Sequence, residues 1–419
     1  MKRRTLLQGA ALAMIAGRAR GAASRARVVV VGGGFGGATA AKYLRLWSGH
    51  AIEVVLVEPE AAFVSCPVSN LVLAGQRRLA DITMSLDGLQ RRHGVRLVHD
   101  RASAIDVAGK SVRLARGETI RYDKLVVSPG ADLVFDAVEG LAAARDEGRM
   151  VQAWKAGPET ETLRRQLEAM RDGGTFAITI PEAPYRCPPG PYERASVVAA
   201  YLKANKPRSK VLILDANPDV TSKPALFKKA WTDLYPDLLE YRPQSKATSV
   251  DARANTVRFE VADDVVADVL NVLPPMRAGR LLFDAGLVDA KDRWATVDFR
   301  TFASSVAPDV HVLGDSVLAA PAMPKSGHMA NAHAKVAAAA IVAELGGMET
   351  DAHPMLTNTC YSYVSATEAI HIASVHTYVD SEKTFRTVPG SGGVSAARSE
   401  READYARAWA KNIWADTLA

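Results

Sequence analysis

The chain has 419 residues, more than one ordinary hydrophobic core organises, so two or three domains are expected. Its hydrophobic fraction of 48% and charged fraction of 23% are those of a globular protein and exclude a disordered chain. The net charge of +6 is misleading, because five basic and no acidic residues precede Ser24 and the remainder carries only +1. This near-neutral remainder argues against a nucleic-acid-binding protein.

The first 23 residues have the form of an export signal. A basic start is followed by an apolar stretch from Leu6 to Ala16 and by small residues suited to cleavage. The segment Arg3–Leu7 resembles a twin-arginine signal, whose route carries folded proteins with their cofactors. The alternative is a membrane anchor, but the apolar stretch is far shorter than the roughly 20 residues that span a bilayer. We therefore expect a cleaved signal over residues 1–23, a periplasmic location and no transmembrane segment in the mature chain.

A dinucleotide-binding βαβ unit is predicted directly after the signal. A β-branched run, Val28–Val31, is followed by a G-x-G-x-x-G turn and an alanine-rich helical pattern. Its glycines allow, in chain order, a tight turn, close approach of a pyrophosphate and packing of helix on strand; they are Gly32, Gly34 and Gly37. A second strand, Ile52–Val57, ends in Glu58, whose carboxylate can accept both ribose hydroxyls. The complete unit favours a bound dinucleotide over a simple glycine-rich turn.

Two later segments resemble parts of flavoproteins that have two dinucleotide-binding domains. Tyr122–Gly130 resembles their second dinucleotide motif, and Val310–Asp315 resembles the late strand whose aspartate binds the ribityl chain of FAD. Each is weak alone, because apolar strands that end in glycine or aspartate are common. In this order and spacing they imply FAD as the cofactor, with Gly130, Gly314 and Asp315 among its contacts.

A second α/β pattern begins near residue 150 and lacks a nucleotide-binding loop. Its expected elements are a helix at 159–171, a strand at 176–180, a helix at 195–205 and a strand at 210–214. A nicotinamide-binding domain would continue from its first strand into a glycine-rich loop. This chain continues instead into prolines and one cysteine, within Arg186–Arg194. The insert therefore keeps a nucleotide-binding architecture without its ligand, which indicates an electron donor other than NAD(P)H.

These elements predict an α/β fold with two Rossmann-like, dinucleotide-binding-type domains, arranged as in disulfide reductases, and a C-terminal α+β interface domain. The FAD-binding domain is expected in two pieces, residues 27–140 and 294–349, which flank the second Rossmann-like domain at 150–293. The C-terminal domain, residues 357–419, is expected to contain short strands and an amphipathic helix from Arg398 to Trp414.

From Arg27 to the C-terminus the chain resembles the flavoprotein subunit of flavocytochrome c sulfide dehydrogenase, a relative of sulfide:quinone oxidoreductase. Besides the glycine turn, the resemblance rests on four segments: Phe63–Asn70, Arg186–Arg194, Pro324–Ser326 and Asn358–Ser362. It implies a periplasmic enzyme that oxidises sulfide through a redox-active disulfide and FAD and passes the electrons to a c-type cytochrome.

The resemblance also assigns roles to the three cysteines. It implies that Cys66 bonds covalently through its sulfur to the 8α-methyl group of the flavin, whereas the alternative is a buried free thiol. It implies that Cys187 and Cys360 form a redox-active disulfide, which hydrosulfide can attack as any thiolate would. The alternative for this pair is a purely structural staple. In the oxidising compartment that an exported protein meets, a thiol pair persists as a disulfide.

Three further residues gain roles from the resemblance, and each has a plain structural alternative. Glu193 would take a proton from hydrogen sulfide or the persulfide, or would only favour the first turn of a helix. Trp414 would lie over the flavin site, or would be a core residue of its amphipathic helix. Lys325, with the helix after Ser326, would stabilise negative charge on the reduced flavin, or would be a solvated lysine.

A c-type cytochrome partner follows from the same resemblance. The chain has no C-x-x-C-H attachment sequence, so haem c would belong to the partner chain of a heterodimer. One rival is a sulfide:quinone oxidoreductase, which needs a membrane-seated amphipathic segment, although the C-terminal helix is evenly charged. Another is a non-enzymatic, flavoprotein-like partner of a sulfur-oxidising complex. No metal site is predicted, because His328 and His333 are five residues apart rather than four.

Overall fold

The computed structural model describes residues 25–419, and the expected signal at residues 1–23 lies outside the described residues. The largest sheet has seven strands, in the spatial order Val297–Asp298, Ala303–Ser304, Ala307–Val312, Lys124–Val127, Arg27–Val31, Glu53–Val57 and Arg96–Val98. The last five of these are parallel. Strands from before residue 140 and after residue 294 therefore share one sheet.

The central strands of this sheet are apolar on both faces. Val28, Val29 and Val30 are completely buried. Helix Phe35–Trp47 packs against the first two strands of the chain and against helix Gly327–Leu345. A continuous β-branched run is typical of a parallel strand that is covered on both sides, and it places the glycine turn at the carboxyl end of the first strand.

The second Rossmann-like domain contains a four-stranded parallel sheet, in the order Leu239–Arg242, Lys210–Asp215, Thr175–Ile180 and Val269–Val272. Helix Gly190–Asn205 begins before the predicted start at 195. Pro191 explains the difference, because proline is tolerated in the first turn, where the backbone N–H has no partner within the helix. Glu193 consequently lies in the first turn of the helix.

The C-terminal domain is an antiparallel sheet covered by one helix. Its strands are Met355–Tyr363, Ala369–Val379 and Thr384–Thr387, and Gly393–Val394 pairs with the second of them. The first two strands are longer than the short ones expected, because they pair along the whole of Met355–Tyr363. The C-terminal helix, Glu400–Leu418, begins after Ser399, whose side chain accepts the N–H of Glu402.

The remaining strands form four small antiparallel sheets: Ala62–Val64 with Thr83–Ser85; Ala102–Asp106, Ser111–Leu114 and Thr119–Arg121; Ala131–Leu133 with Met276–Ala278; and Ala247–Asp251, Thr256–Phe259 and Val265–Val266. The other α-helices are Asn70–Leu73, Asp87–His93, Leu141–Asp146, Pro158–Ala169, Pro224–Leu234 and Arg280–Asp284. Short 3-10 helices occur at Leu79–Ile82, Phe135–Ala137 and Gly314–Ser316. Across residues 25–419, none of the helices combines the length and the apolar character needed to cross a membrane. The expected fold class is confirmed.

Candidate active site

A cavity of about 1070 Å³ lies where the three domains meet. The glycine turn of the first βαβ unit and the segments that carry the three cysteines all line it. Among the residues expected to form the site, the lining contains Gly32, Gly34, Glu58, Cys66, Gly130, Cys187, Glu193, Gly314, Asp315 and Cys360. The expected residues that lie outside the lining are Gly37, Lys325 and Trp414.

The glycine turn is shaped for the close approach of a ligand. A Cβ atom at Gly34 would meet no protein atom within 4 Å, so the backbone there faces open cavity. No side chain caps helix Phe35–Trp47, and its first N–H groups can therefore bind an anion such as a pyrophosphate. Gly37 lies outside the lining, where the helix packs against the turn. A Cβ atom at this position would lie 1.8 Å from the carbonyl oxygen of Gly32. Only glycine lets the helix pack on the turn.

Glu58 is held against the glycine turn at the end of strand Glu53–Val57. Its Oε2 accepts the N–H of Gly33, and its Oε1 accepts the N–H of Glu60 at 2.9 Å. These bonds fix the orientation of the carboxylate. Each oxygen retains a second lone pair with which it can accept a ribose hydroxyl.

Gly130 and Gly314 both adopt left-handed backbone conformations beside the cavity, with φ values of 73° and 70°. The carbonyl oxygen of Gly130 accepts the hydroxyl of Ser316 at 2.6 Å, and the N–H of Gly314 points to Nδ1 of His333 at 3.3 Å. The positive φ values turn the chain at the carboxyl ends of two neighbouring parallel strands. Both turns thereby bring backbone to the edge of the cavity.

Asp315 provides a test of whether the cavity suits FAD. Its Oδ1 is buried and has no hydrogen-bond partner in the described part of the chain. Leaving a buried acceptor unpaired costs about 1–3 kcal/mol, and a ligand hydroxyl would remove that cost. Burial raises the pKa of Asp315, while the charges of Arg186, Lys325 and Lys155 oppose the rise. The orphaned oxygen, together with the open glycine turn, fits a cofactor that carries hydroxyl groups and a pyrophosphate.

Cys66 faces the cavity after the short strand Ala62–Val64. Two donors reach its sulfur: a guanidinium N–H of Arg186 at 3.3 Å and the backbone N–H of Ala156 at 3.5 Å. Both donors belong to the second Rossmann-like domain. The position of the Cys66 sulfur is therefore fixed by a contact between domains.

Cys187 is held in a left-handed backbone conformation, with φ at 60°, which is uncommon for a residue that has a side chain. Its N–H donates to the carbonyl oxygen of Lys325 at 2.7 Å and ties the loop to the FAD-binding domain. Gly190 makes room for the sulfur, because a Cβ atom there would lie 2.8 Å from Sγ of Cys187. Burial raises the pKa of the Cys187 thiol to about 12, so this sulfur stays protonated in the reduced state.

Cys360 reaches the same cavity from strand Met355–Tyr363. The side-chain N–H of Asn358 lies 3.5 Å from its Sγ, and the oxygen of that amide accepts the hydroxyl of Ser326 at 2.7 Å. All three cysteines are unpaired in the structure. The structure thus describes Cys187 and Cys360 as thiols that line one cavity, and the bond between them stays a prediction.

Glu193 links the three domains beside the cysteines. Its Oε2 accepts the side-chain N–H of Asn70 at 2.9 Å, and its Oε1 accepts the backbone N–H of Tyr363 at 2.9 Å. Neither oxygen bonds to the helix in whose first turn Glu193 lies, so capping does not describe its role. Burial raises the pKa of Glu193, against the effect of these two hydrogen bonds. The carboxyl group lies close enough to Cys187 to raise the pKa of that thiol.

Trp409, rather than Trp414, lines the cavity. Both belong to helix Glu400–Leu418, but residues five apart differ by about 140° around a helix, so they face different sides. Trp414 donates its indole N–H to the hydroxyl of Ser65 at 2.9 Å, next to Cys66. Trp414 thus supports the Cys66 segment from outside the lining, and its role over the flavin stays a prediction, whereas Trp409 is the tryptophan of this helix that lines the cavity.

Lys325 is neither solvated nor part of the lining. Its ammonium group donates to the carbonyl oxygens of Asp315, at 3.0 Å, and Val317, and it lies 3.6 Å from the ring centroid of Trp294. Burial lowers its pKa to about 7. Lys325 therefore lies behind Asp315 and does not contact the cavity. Ser326, which caps helix Gly327–Leu345 and lines the cavity, brings the positive end of that helix to the site instead.

Two buried cations of the site were not expected from the sequence. Arg194 is 2% exposed; its guanidinium donates to Asn70 and Asn271 and lies 4.9 Å from the ring centroid of Trp154. Lys223 is 3% exposed and donates to the strand that carries Cys360. Arg194 is the last residue of the proline-rich segment Arg186–Arg194, so the sequence could have pointed to it. No motif near Lys223 in the sequence indicates a role for that lysine.

In the second Rossmann-like domain, protein groups already bind the aspartate at the position that would bind a ribose. Asp215 ends strand Lys210–Asp215 and is completely buried. Its Oδ2 accepts the hydroxyls of Tyr192 at 2.7 Å and Tyr241 at 3.1 Å, and its Oδ1 accepts the backbone and side-chain N–H groups of Asn217. Protein donors thus take the place that ribose hydroxyls occupy in a nucleotide-binding domain.

Three protein-family models match parts of the chain. The model of the pyridine nucleotide-disulphide oxidoreductases matches residues 26–163. The central part of the sulfide dehydrogenase (flavocytochrome c) flavoprotein chain matches residues 160–274. The flavin-binding part of flavocytochrome c sulphide dehydrogenase matches residues 352–418.

Curated relatives point to the same group. The mitochondrial sulfide:quinone oxidoreductase of Mus musculus is 25% identical over 306 residues, which cover 69% of this chain and 65% of the mouse protein. The match thus spans slightly less than two thirds of the relative. The sulfide dehydrogenase (flavocytochrome c) flavoprotein chain of Chlorobaculum thiosulfatiphilum is 67% identical over 46 residues, 11% of this chain and 94% of that sequence.

The solved sulfide:quinone oxidoreductase of Aquifex aeolicus has a TM-score of 0.78 at 19% identity, covering 94% of this chain and 91% of its own. The NAD-dependent persulfide reductase of A. fulgidus has a TM-score of 0.66 at 17% identity, covering 93% and 77%. At these identities the likeness shows the fold. The chain is a flavoprotein related to the sulfide:quinone oxidoreductases, and its central and C-terminal regions are those of a flavocytochrome c sulfide dehydrogenase flavoprotein chain.

Proposed function

We propose that the protein oxidises sulfide through a Cys187–Cys360 disulfide and bound FAD and delivers the electrons to a c-type cytochrome. The observation that carries this proposal is that both cysteines and Glu193 line the same cavity as the dinucleotide-binding turn. A reactive sulfur pair and a flavin can thus meet in one enclosure. Similarity to a sulfide:quinone oxidoreductase and to a sulfide dehydrogenase flavoprotein chain supports sulfide as the substrate.

The first chemical step is exchange at the disulfide. Hydrosulfide attacks one sulfur, a new S–S bond forms as a cysteine persulfide, and the S–S bond between the cysteines breaks. The electron pair of the broken bond stays on the other cysteine as a thiolate. Glu193 accepts the proton that hydrogen sulfide or the persulfide releases. When bound, FAD supplies a two-electron acceptor that can release electrons singly.

Buried cations favour the anionic form of the substrate. The positive charges of Arg186 and Lys223 oppose the rise in the pKa of the Cys187 thiol, whereas the carboxyl group of Glu193 adds to it. The buried guanidinium of Arg194 also interacts with Cys187. Charges interact strongly in a cavity from which water is partly excluded. We infer that hydrosulfide, rather than neutral hydrogen sulfide, attacks the disulfide.

The cofactor would be held along the lining already described. The N–H groups after Gly34 would bind the pyrophosphate, Glu58 the ribose, and Asp315 the ribityl hydroxyls. We propose Cys66 as the covalent attachment point, and its two N–H donors would keep the sulfur oriented.

A c-type cytochrome subunit and a periplasmic location complete the proposal. The cytochrome is supported by similarity to a flavocytochrome c flavoprotein chain, and the location by the signal-like residues 1–23. The C-terminal helix exposes charged residues such as Arg401 and Lys411, which suits an aqueous surface better than a membrane-seated one.

The function is tested by supplying sulfide anaerobically to the purified, FAD-loaded protein with any subunit that copurifies. We expect haem bands in the purified complex and sulfide-dependent reduction of a c-type cytochrome. Reduction of a short-chain quinone without reduction of the cytochrome would favour a sulfide:quinone oxidoreductase. A flavin that stays oxidised with sulfide would favour a non-enzymatic partner.

NADH and NADPH at millimolar concentration are expected to leave the flavin oxidised, while sulfide bleaches it. Helix Gly190–Asn205 is preceded by the Cys187 loop instead of a glycine turn, and Asp215 is already saturated by protein donors. Anaerobic absorbance spectroscopy with each donor checks this expectation. Rapid bleaching by NADH would mean that the second domain does bind a nicotinamide.

Glu193→Gln is expected to slow sulfide-driven flavin reduction by about 10²-fold or more, the usual contribution of a positioned general base. Burial raises the pKa of Glu193, so the wild-type rate should fall as the pH drops through that raised value and the carboxylate is protonated. The glutamine variant should lack this acidic limb. Stopped-flow rates over a pH series give the measurement, with Glu161→Gln, an exposed position on helix Pro158–Ala169, as control. If the glutamine variant keeps the wild-type pH profile, Glu193 does not act as a base and its role is limited to structural hydrogen bonds.

A further inference from the structure

Lys223 is a buried lysine that the proposed chemistry has not yet used. It is 3% exposed and immediately precedes helix Pro224–Leu234. Its backbone is left-handed, with φ at 55°, a conformation that non-glycine residues keep where surrounding contacts impose it and that clusters at functional sites. Its ammonium group donates to the carbonyl oxygen of Cys360 at 3.2 Å and to the hydroxyl of Ser362 at 3.0 Å.

The charge of Lys223 is not neutralised by an ion pair with any described residue. Both hydrogen-bond acceptors are neutral, and burying an ammonium group without a counter-charge is costly. Burial lowers the pKa of Lys223, and the negative charges of Cys360, Glu193 and Cys187 oppose that fall. A buried cation that interacts with two cysteines and a carboxyl group of the cavity lining is typical of a functional site.

The route of the chain explains how this lysine reaches the cysteines. Strand Lys210–Asp215 ends where a nucleotide-binding domain would hold a ribose, and the segment after it would face that ligand. Here the hydroxyl of Tyr192 donates a hydrogen bond to Asp215 in place of a ribose. The hydroxyl of Thr221 lies 2.8 Å from that of Tyr185 in the Cys187 loop. The segment then continues to Lys223 beneath Cys360. The segment that would face a nucleotide in such a domain thus brings the ammonium group of Lys223 to the strand of Cys360.

We propose that Lys223 is a positioning residue for the Cys187–Cys360 pair, and that its ammonium group fixes the Cys360 strand and stabilises the thiolate formed when the disulfide opens. This inference rests on the proposed function, since it requires that the two cysteines form a disulfide. Reduction of the pair to one thiol and one thiolate takes up two electrons and one proton, and a cation that holds the thiolate favours the reduced form. Preferential stabilisation of the reduced form makes a disulfide a stronger oxidant, which suits a pair that hydrosulfide must open.

The test is a redox titration of the pair in FAD-loaded protein. Wild type, Lys223→Met, Lys223→Arg and Lys229→Met are equilibrated in glutathione buffers, and reduced cysteines are trapped by alkylation and counted by peptide mass spectrometry. Lys229 is an exposed lysine on the same helix and is the matched control. We expect Lys223→Met to shift the equilibrium constant toward the disulfide by about tenfold or more, equivalent to about 30 mV. Lys223→Arg and Lys229→Met should stay within about threefold of wild type.

The pH dependence of alkylation provides the second measurement. In the reduced protein, iodoacetamide should alkylate Cys360 more slowly in Lys223→Met than in wild type across a pH series, because the thiolate loses its cation. The other charged groups near the pair are Glu193 and Arg186, which act on Cys187, and the ring of His328 accepts the N–H of Thr359 next to Cys360. All of them are unchanged in the variants, so they cancel in the comparison.

Three outcomes separate the possibilities. An equilibrium constant and an alkylation profile of Lys223→Met that both match wild type would overturn the role of Lys223. If Lys223→Met does not fold, Ser362→Ala decides: it removes one acceptor and keeps the charge, so a smaller shift in the same direction is expected, and no shift would overturn the inference. If wild-type protein forms no Cys187–Cys360 disulfide in any buffer, the proposed function itself fails, and with it the basis of this inference.

Discussion

Replacing Cys187 or Cys360 by serine is expected to abolish the reduction of bound flavin by sulfide, slowing it by about 10³-fold or more. The two sulfurs act in one covalent sequence, and groups that act as a unit show strongly non-additive losses. The double variant should therefore be scarcely slower than either single variant. Stopped-flow absorbance of folded, FAD-loaded variants mixed with sulfide gives the rates.

The structural alternative predicts a different pattern for the same variants. If the bridge were only a staple, its loss would lower the free energy of unfolding by a few kcal/mol and leave the rate per folded molecule intact. Thr357→Ser, at an exposed position of the strand that carries Cys360, is the control for substitution in that strand. Near-wild-type reduction in any of the cysteine variants would reject the disulfide mechanism and favour direct attack of sulfide on the flavin.

Cys66→Ser is expected to convert a flavin that cannot be extracted into one that is released completely. A carbon–sulfur bond survives acid denaturation, whereas hydrogen bonds and packing are lost with the fold. After acid precipitation, wild-type protein should retain its yellow colour in the pellet, and Cys66→Ser should lose it to the supernatant. Absorbance of the two fractions gives the ratio.

The matched control is Cys360→Ser, because it also removes a thiol from the cavity lining but should keep the flavin in the pellet. Trp414→Phe adds a finer comparison, since it removes the indole N–H that bonds to Ser65 beside Cys66. We expect it to lower the attached fraction of flavin without abolishing attachment. Free release of flavin from denatured wild-type protein would show that Cys66 is not an attachment point.

The FAD-binding domain was predictable because its signals are local. The run Val28–Val31 and the glycine turn after it allow few structures other than a buried parallel strand that feeds a helix. Strand Ala307–Val312, which extends the same sheet, was recognisable from its apolar pattern and the Gly314–Asp315 pair that follows. Local patterns of this kind require no knowledge of distant contacts.

The rest of the site depends on contacts between domains, which no local pattern contains. Trp409 and Trp414 occur on the same amphipathic helix, and the buried stripe of Ala403, Ala406 and Ala410 decides which of them reaches the cavity. The burial of Lys325 follows from its packing on Trp294, far back in the chain. Lys223 reaches Cys360 only because the insert folds back on the C-terminal sheet.

The most direct measurement is the rate at which sulfide bleaches the flavin of wild-type protein under anaerobic conditions, with the disulfide content counted beforehand by thiol titration. We expect rapid bleaching of a fraction of the flavin equal to the fraction of protein that contains the Cys187–Cys360 disulfide. Reduction of the pair followed by alkylation should prevent it. Bleaching that is absent, or that proceeds unchanged after alkylation, would contradict sulfide oxidation through this disulfide.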